Sequence, residues 1–218
     1  MNFAYWLKIQ AFMLSLSTFS VLFAPYKKSE RNMKVYLFLS VATLISVVAN
    51  AQNYVYEKVV TEPTDWSGEY LIVREIDKTD LVIIFNGALD DLDSKNNVLT
   101  TVTLRSEKGI RFINPTAEID AATFVISRAE NGDKYYVKSN SDFWIGYNKV
   151  GDGSADLKSD REKRYENSIS MGKGKTNINI VAKNGMYLRY NADAVSCRFR
   201  YYNKDKKKSI KLYKKVLR

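Results

Sequence analysis

Gly68-Glu69-Tyr70-Leu71-Ile72-Val73 is the stretch on which the fold turns. A tyrosine-led apolar run this short, entered through a glycine, reads as a strand buried on both faces rather than a helix. Leu81-Val82-Ile83-Ile84-Phe85 has the same character. The stretch has two echoes, Gly132-Asp133-Lys134-Tyr135-Tyr136-Val137 and Gly185-Met186-Tyr187-Leu188-Arg189-Tyr190. After the three copies come Ile84-Phe85-Asn86-Gly87, Trp144-Ile145-Gly146-Tyr147 and Arg198-Phe199-Arg200-Tyr201. Three such thirds, of about four strands each, predict an all-β single domain with a β-trefoil-like barrel. The spacing is uneven, with 65 residues from Tyr70 to Tyr135 and 52 from Tyr135 to Tyr187, so a β-sandwich of the same strands stays open as the alternative.

Outward from there the pattern is consistent. Residues alternate between apolar and polar in Tyr54–Val59, Thr123–Ile126 and Asn177–Val181, the period of half-buried strands. Asn131-Gly132 and Asn184-Gly185 each separate two strand-like runs, and this dipeptide tolerates positive φ at a hairpin turn. The final run, Ser209–Lys214, is expected to pair near Tyr54–Val60 and close the barrel, leaving no open edge. No segment carries sustained apolar spacing at helical period.

The chain contains no His, which removes imidazole bases and His metal ligands. A single Cys, Cys197, allows neither an internal disulfide nor a thiolate zinc site, and reads as a small buried thiol. The nucleophile elbow, phosphate loop and dinucleotide fingerprint are absent, and Gly172-Lys173-Gly174-Lys175-Thr176 lacks the upstream glycine of a phosphate loop. The expectation is a protein without cofactor and without catalysis.

The start of the chain has a different character. Met33-Lys34, the apolar run Val35–Val48 and the small residues Ala49 and Ala51 form the three parts of a signal peptide over 33–51, with cleavage before Gln52. The apolar run is shorter than the roughly 20 residues of a membrane span, so the mature form is expected to have none. Residues 1–32 add another apolar stretch, Phe3–Ala24. It reads either as an extension from a start called too early, with translation beginning at Met33, or as a second membrane segment with its basic loop inside. The internal signal peptide favours the first. The expected location is secreted, periplasmic or on the cell surface, with 52–218 as the mature all-β domain.

Within 52–218 the charge is uneven. That stretch keeps 29 of the 34 basic and 23 of the 24 acidic side chains, and Arg198–Arg218 alone holds ten basic residues against Asp205. Arg198, Arg200, Lys206, Lys207 and Lys208, interleaved with Phe199, Tyr201 and Tyr202, make a basic-aromatic mixture suited to phosphate contact and base stacking. The competing reading is a charged hairpin whose lysines keep a strand pair soluble. Trp66, Trp144 and Tyr190 are candidate sugar-stacking residues. Trp66, beside Asp65 and Ser67, is expected to be the more exposed, and Trp144, between Phe143 and Ile145, the more packed. Asp90-Asp91-Leu92-Asp93 and Asp152, Asp156 and Asp160 read as solvated loops rather than calcium sites. Asp65 with Glu69 is only a nominal carboxylate pair.

Several of these runs together resemble a module common in secreted Bacteroidetes proteins. They are Asp65-Trp66-Ser67-Gly68-Glu69-Tyr70-Leu71-Ile72-Val73, Phe85-Asn86-Gly87, Trp144-Ile145-Gly146, Tyr187-Leu188-Arg189-Tyr190-Asn191, Arg198-Phe199-Arg200-Tyr201-Tyr202 and Ile210-Lys211-Leu212-Tyr213-Lys214. The leader ending Ala49-Asn50-Ala51-Gln52 looks like that phylum's signal peptides, and the resemblance covers nearly all of 53–216. It implies an accessory domain of the kind attached to secreted enzymes, nucleases included, and therefore binding rather than catalysis; within these 218 residues no enzyme domain is expected. The expected partner is a polysaccharide or other extracellular polymer, glycan first. Next come an anionic polymer, either nucleic acid or acidic polysaccharide, on the C-terminal strands and a structural or protein-interaction role.

Overall fold

A computed structural model describes residues 53–130, 132–147, 155–172, 176–193, 196–203 and 207–218. The expected signal-peptidase residues Ala49 and Ala51, and the extension 1–32, lie outside them. In chain order the strands are β1 (Tyr54–Lys58), β2 (Gly68–Glu75), β3 (Leu81–Phe85), β4 (Val98–Thr103), β5 (Arg105–Glu107) and β6 (Ile110–Ile113). A short helix, α1 (Ala117–Ala121), follows, then β7 (Phe124–Arg128), β8 (Tyr135–Ser139), β9 (Trp144–Gly146), β10 (Lys158–Asp160) and β11 (Asn167–Met171). The last four are β12 (Ile178–Ala182), β13 (Tyr187–Asp193), β14 (Ser196–Tyr202) and β15 (Lys211–Leu217). The all-β expectation is borne out. Among the described residues no helix is long and apolar enough to cross a membrane.

All strand pairs are antiparallel. The continuous path runs β14-β13-β12-β11-β8-β7-β2-β15-β1-β6-β5, with β3–β4 branching from β2 and β9–β10 from β8. These ladders leave the sheet open at its two ends. One further bridge joins Ile178, at the start of β12, to Ile210, just before β15, through an Ile178 N–H donated to the Ile210 carbonyl at 2.9 Å. The final strand pairs with the first, from Tyr54 opposite Leu217 to Lys58 opposite Tyr213. It does so through Tyr213–Leu217 rather than the whole of Ser209–Lys214, and contrary to expectation these ladders do not close the sheet.

The burial of β2 explains its unbroken apolar run. Tyr70 and Ile72 face one core with Phe85, Phe124, Val137, Ile180 and Phe199, while Leu71 and Val73 face a second with Tyr56, Val82, Ile113 and Tyr213. Burying each such side chain stabilises by about 1.5–3 kcal/mol, which is why neither face of β2 carries a polar residue in this run. Phe199 lies parallel to Phe85 at 5.1 Å between centroids, fixing the β13–β14 hairpin to the first third of the chain.

The glycine turns sit where the sequence places them. Gly185 has φ +83° and donates to the Ala182 carbonyl at 2.9 Å, joining β12 to β13; Gly132, at φ +80°, donates to Ala129 at 3.0 Å between β7 and β8. The internal echo needs one correction. Gly68–Val73 and Gly132–Val137 correspond to β2 and β8, each followed by a branching hairpin. The third echo, Gly185–Tyr190, falls on β13, which is itself the first strand of a hairpin. Tyrosine-led runs occur in β2, β8 and β13 alike, so residue type alone does not tell a strand followed by a branching hairpin from a strand within one.

Candidate functional site

Strand parity decides which aromatics reach the surface. In β9, Ile145 is fully buried, so Trp144 and Gly146 point to the other face. Lys138 of β8 stands directly opposite Trp144, and Asp160 of β10 stands opposite it on the other side. Tyr136, two residues before Lys138, shares this face, and its ring meets the Trp144 indole edge-on at 5.9 Å. Both rings are half-buried.

The segment after β10 folds back over them. The Asp160 carboxylate accepts from the backbone N–H groups of Glu162 at 2.9 Å and Lys163 at 3.0 Å, closing a turn. These bonds, that to Lys163 first, hold its carboxyl below the usual range. Gly146 makes room for the return, since a Cβ there would meet Tyr165 Cβ at 2.1 Å. The cations of the segment then lie on rings: Arg161 4.6 Å from the Phe143 centroid, Lys163 5.6 Å from Tyr165, and Arg164 5.1 Å from Trp144 and 5.5 Å from Tyr136. Lys138 adds a fourth cation, 5.3 Å from Trp144, and ion-pairs with Asp142 at 2.6 Å. Cation–ring contacts of this kind contribute about 0.5–1 kcal/mol each at exposed sites. Here they order a polar loop into an aromatic face rimmed by donors and acceptors.

The two candidate tryptophans exchange roles relative to expectation. Trp66 is only 3% exposed and belongs to the main core, its backbone N–H donating to the Tyr135 hydroxyl at 3.4 Å. The polar neighbours that suggested exposure bond each other, Asp65 accepting from Ser67 N–H at 3.1 Å, and leave the indole between them pointing inward. Trp144 is the half-exposed one. Its apolar neighbours Phe143 and Ile145 misled because alternate strand residues take opposite faces.

The C-terminal candidates divide. Tyr190 is 4% exposed and packs on Phe199 at 5.1 Å, and Tyr202 is also buried, so neither offers a ring face to a ligand. Arg200 makes a two-pronged ion pair with Asp93, and Lys207 pairs with Asp193 at 3.1 Å beside the Tyr202 ring. Arg198 is half-buried with a buried Nε that has no hydrogen-bond partner. Lys208 is exposed, its backbone bonded in both directions to Tyr190. Lys206 lies outside the described residues. Further along, Lys215 holds both oxygens of Glu69 at 3.0 Å, and Lys211 is buried against Thr176 and Asn177.

The acidic residues are engaged as well. Asp65 pairs with Arg128 at 3.3 Å and Asp90 with Arg161 at 3.6 Å, so neither the Asp65–Glu69 pair nor the 90–93 run has its carboxylates to itself. Among the described residues no group of Cys, Asp and Glu is placed to hold a metal ion. Sequence reasoning missed the Arg161–Arg164 segment, which it treated as part of a solvated loop. The available signal was three cations, Arg161, Lys163 and Arg164, immediately before Tyr165 and soon after Trp144. Comparison with protein-family models, with curated proteins and with solved structures gives no match to this chain.

Proposed function

We propose that this chain is an exported, non-catalytic binding module of β-trefoil-like architecture that takes a glycan on the face of Tyr136 and Trp144. The carrying observation is the half-exposed indole of Trp144 set among Lys138, Arg164, Asp142 and Asp160. A pyranose ring presents an apolar C–H face and a hydroxyl rim, and this surface offers an aromatic platform with donors and acceptors around it. The trefoil reading is supported by the order β2, β7, β8, β11, β12 and β15, in which each strand neighbours the next and the Ile178–Ile210 bridge links the last to β12. The hairpins β3–β4, β9–β10 and β13–β14 supply the remaining six strands of three fourfold units.

Export is supported by the three-part leader over 33–51 and by the resemblance to secreted Bacteroidetes modules; an exported product whose mass starts at Gln52 checks it. Binding rather than catalysis is supported by the lack of His and by the engagement of the exposed-loop carboxylates with cations. An anionic polymer held on the C-terminal strands is less well supported, because Arg200, Lys207 and Lys215 are already ion-paired. A glycan array with the purified protein and its Trp144→Ala variant tests the site. The expected result is hits that weaken about tenfold or more, a loss of 1.4 kcal/mol or above, in a variant that still unfolds cooperatively. Equal retention by both proteins overturns it.

A further inference from the structure

We infer that the glycan bound on the Trp144 face is anionic, bearing a carboxylate or sulfate, and that Arg164 is the residue that grips this group. The inference rests on the glycan reading above and names the ligand class of the same site.

The reason lies in how the cations of β8 and of the returning segment are balanced. Lys138 is neutralised by Asp142 at 2.6 Å, and Arg161 has Asp90 at 3.6 Å. Asp160, the carboxylate directly across from Trp144, points an oxygen at the backbone N–H groups of Glu162 and Lys163 instead of at a side-chain cation. Arg164 lies against two rings, and among the described residues no ion pair engages it or Lys163. Arg164 is therefore the cation left without an ion pair where the Trp144 and Tyr136 rings meet.

Arg164 is also held in a form suited to anions. Arg164 is an exposed residue whose guanidinium carbon lies 5.1 Å from the Trp144 centroid and 5.5 Å from that of Tyr136, and contact with two rings restricts its rotamers before any ligand arrives. That planar fork matches the two oxygens of a carboxylate or sulfate, and pre-ordering lowers the entropic cost of the pairing. The neighbouring indole leaves the ring of the same sugar a surface to rest on. A neutral sugar uses the indole and leaves the fork idle; a uronate or a sulfated sugar uses both.

The test is calorimetry with the purified protein and three probes: oligogalacturonate, a sulfated galactan oligosaccharide, and the unsubstituted neutral galactan oligosaccharide. The acidic probes are expected to bind about tenfold tighter than the neutral one, with affinity falling as salt rises. The ratio between uronate and sulfate identifies which acid the site takes. Arg164→Ala is expected to weaken the acidic probes about tenfold more than the neutral one, which keeps the indole, and Arg164→Lys to restore only part of that preference, because it returns the charge without the fork. Trp144→Ala is expected to weaken all probes. Equal affinity for acidic and neutral probes, or an acidic preference that survives Arg164→Ala, overturns this inference and leaves the glycan reading standing. Binding of every probe unaffected by Trp144→Ala overturns both. A single-stranded oligonucleotide that outcompetes all three probes overturns the glycan class in favour of a nucleic acid.

Discussion

The surface of β8–β10 with its returning segment 161–165 and the C-terminal region from β13 to β15 are written in nearly the same alphabet: arginines and lysines interleaved with tyrosine, phenylalanine and tryptophan. They end in opposite states. In the first, Arg161, Lys163, Arg164 and Lys138 rest on rings at the surface. In the second, Phe199 and Tyr201 are wholly buried, and Arg200, Lys207 and Lys215 are joined to Asp93, Asp193 and Glu69. Two variables separate them. One is strand parity, which decides whether an aromatic faces core or solvent. The other is whether a carboxylate from a distant part of the chain reaches the cation. Neither is a property of the basic-aromatic segment itself.

The comparison breaks most sharply on stability. Phe199→Ala removes a ring stacked between the first and last thirds of the chain and should cost about 3–5 kcal/mol. Trp144→Ala removes a half-exposed ring and should cost about 1 kcal/mol or less. Urea denaturation of the two variants measures the difference, and similar midpoints for both would mean that β9 and β14 do not differ in the way described.

The next effect concerns charge. Arg200 and Asp93 are both largely shielded and meet through two contacts, so losing either partner leaves a partly buried charge uncompensated. Arg200→Ala should destabilise by about 1–3 kcal/mol, and Arg200→Ala with Asp93→Ala by less than the sum of the single changes. Arg164→Ala, by contrast, should cost about 1 kcal/mol, the contribution of its exposed contacts with Trp144 and Tyr136, with no charge left uncompensated. If Arg200→Ala proves no more costly than Arg164→Ala, the C-terminal cations are free to serve a ligand, and the anionic-polymer reading of those strands regains its footing.

What was legible in the sequence follows the same division. Period-two patterning, the apolar run of β2 and the turn at Gly185 all depend on local residue type, and each appears in the structure; the partner of the last strand was legible only coarsely, since its ladder with β1 starts at Tyr213 and runs on to Leu217. The site was less legible. Trp144 was named for the right chemistry, but its neighbours Phe143 and Ile145 argued for burial because a flanking residue says nothing about the strand's inward register. Trp66 failed the same way, its polar neighbours satisfying each other in a turn. The pairing of Arg200 with Asp93 spans 107 residues, and no reading of the 198–215 cluster by itself reveals a counter-charge that distant.

Lys211 supplies the smallest test and the finest one, because it is a buried C-terminal cation whose side-chain hydrogen-bond partners are neutral. Only 8% exposed, it donates to Thr176 Oγ1 at 2.8 Å and Asn177 Oδ1 at 2.7 Å, at the seam where Ile178 meets Ile210. Burial first, then the nearby Lys58 charge, with Arg74 adding to it, press its pKa down to about 8; Glu75 and Asp77 oppose them without prevailing. Between about 8 and the ordinary lysine value near 10.4 the unfolded chain binds more protons than the folded one, so this group makes stability rise with pH across that window. Buried tyrosines act in the other direction. Desolvation lifts Tyr70 to about 12, and its hydrogen bond to Asp120 lifts Tyr54 to about 12, so their contribution is complete below about 10 and is lost as pH climbs through 12. The two effects together place the alkaline maximum near pH 10. Lys211→Met should flatten the rise between 8 and 10 and add about 1 kcal/mol at pH 7, the charge no longer having to be buried. Denaturation midpoints taken every half pH unit resolve this. A rise that persists in Lys211→Met would assign it to another group and leave Lys211 as an ordinary solvated lysine, like the surface cations of the Trp144 face.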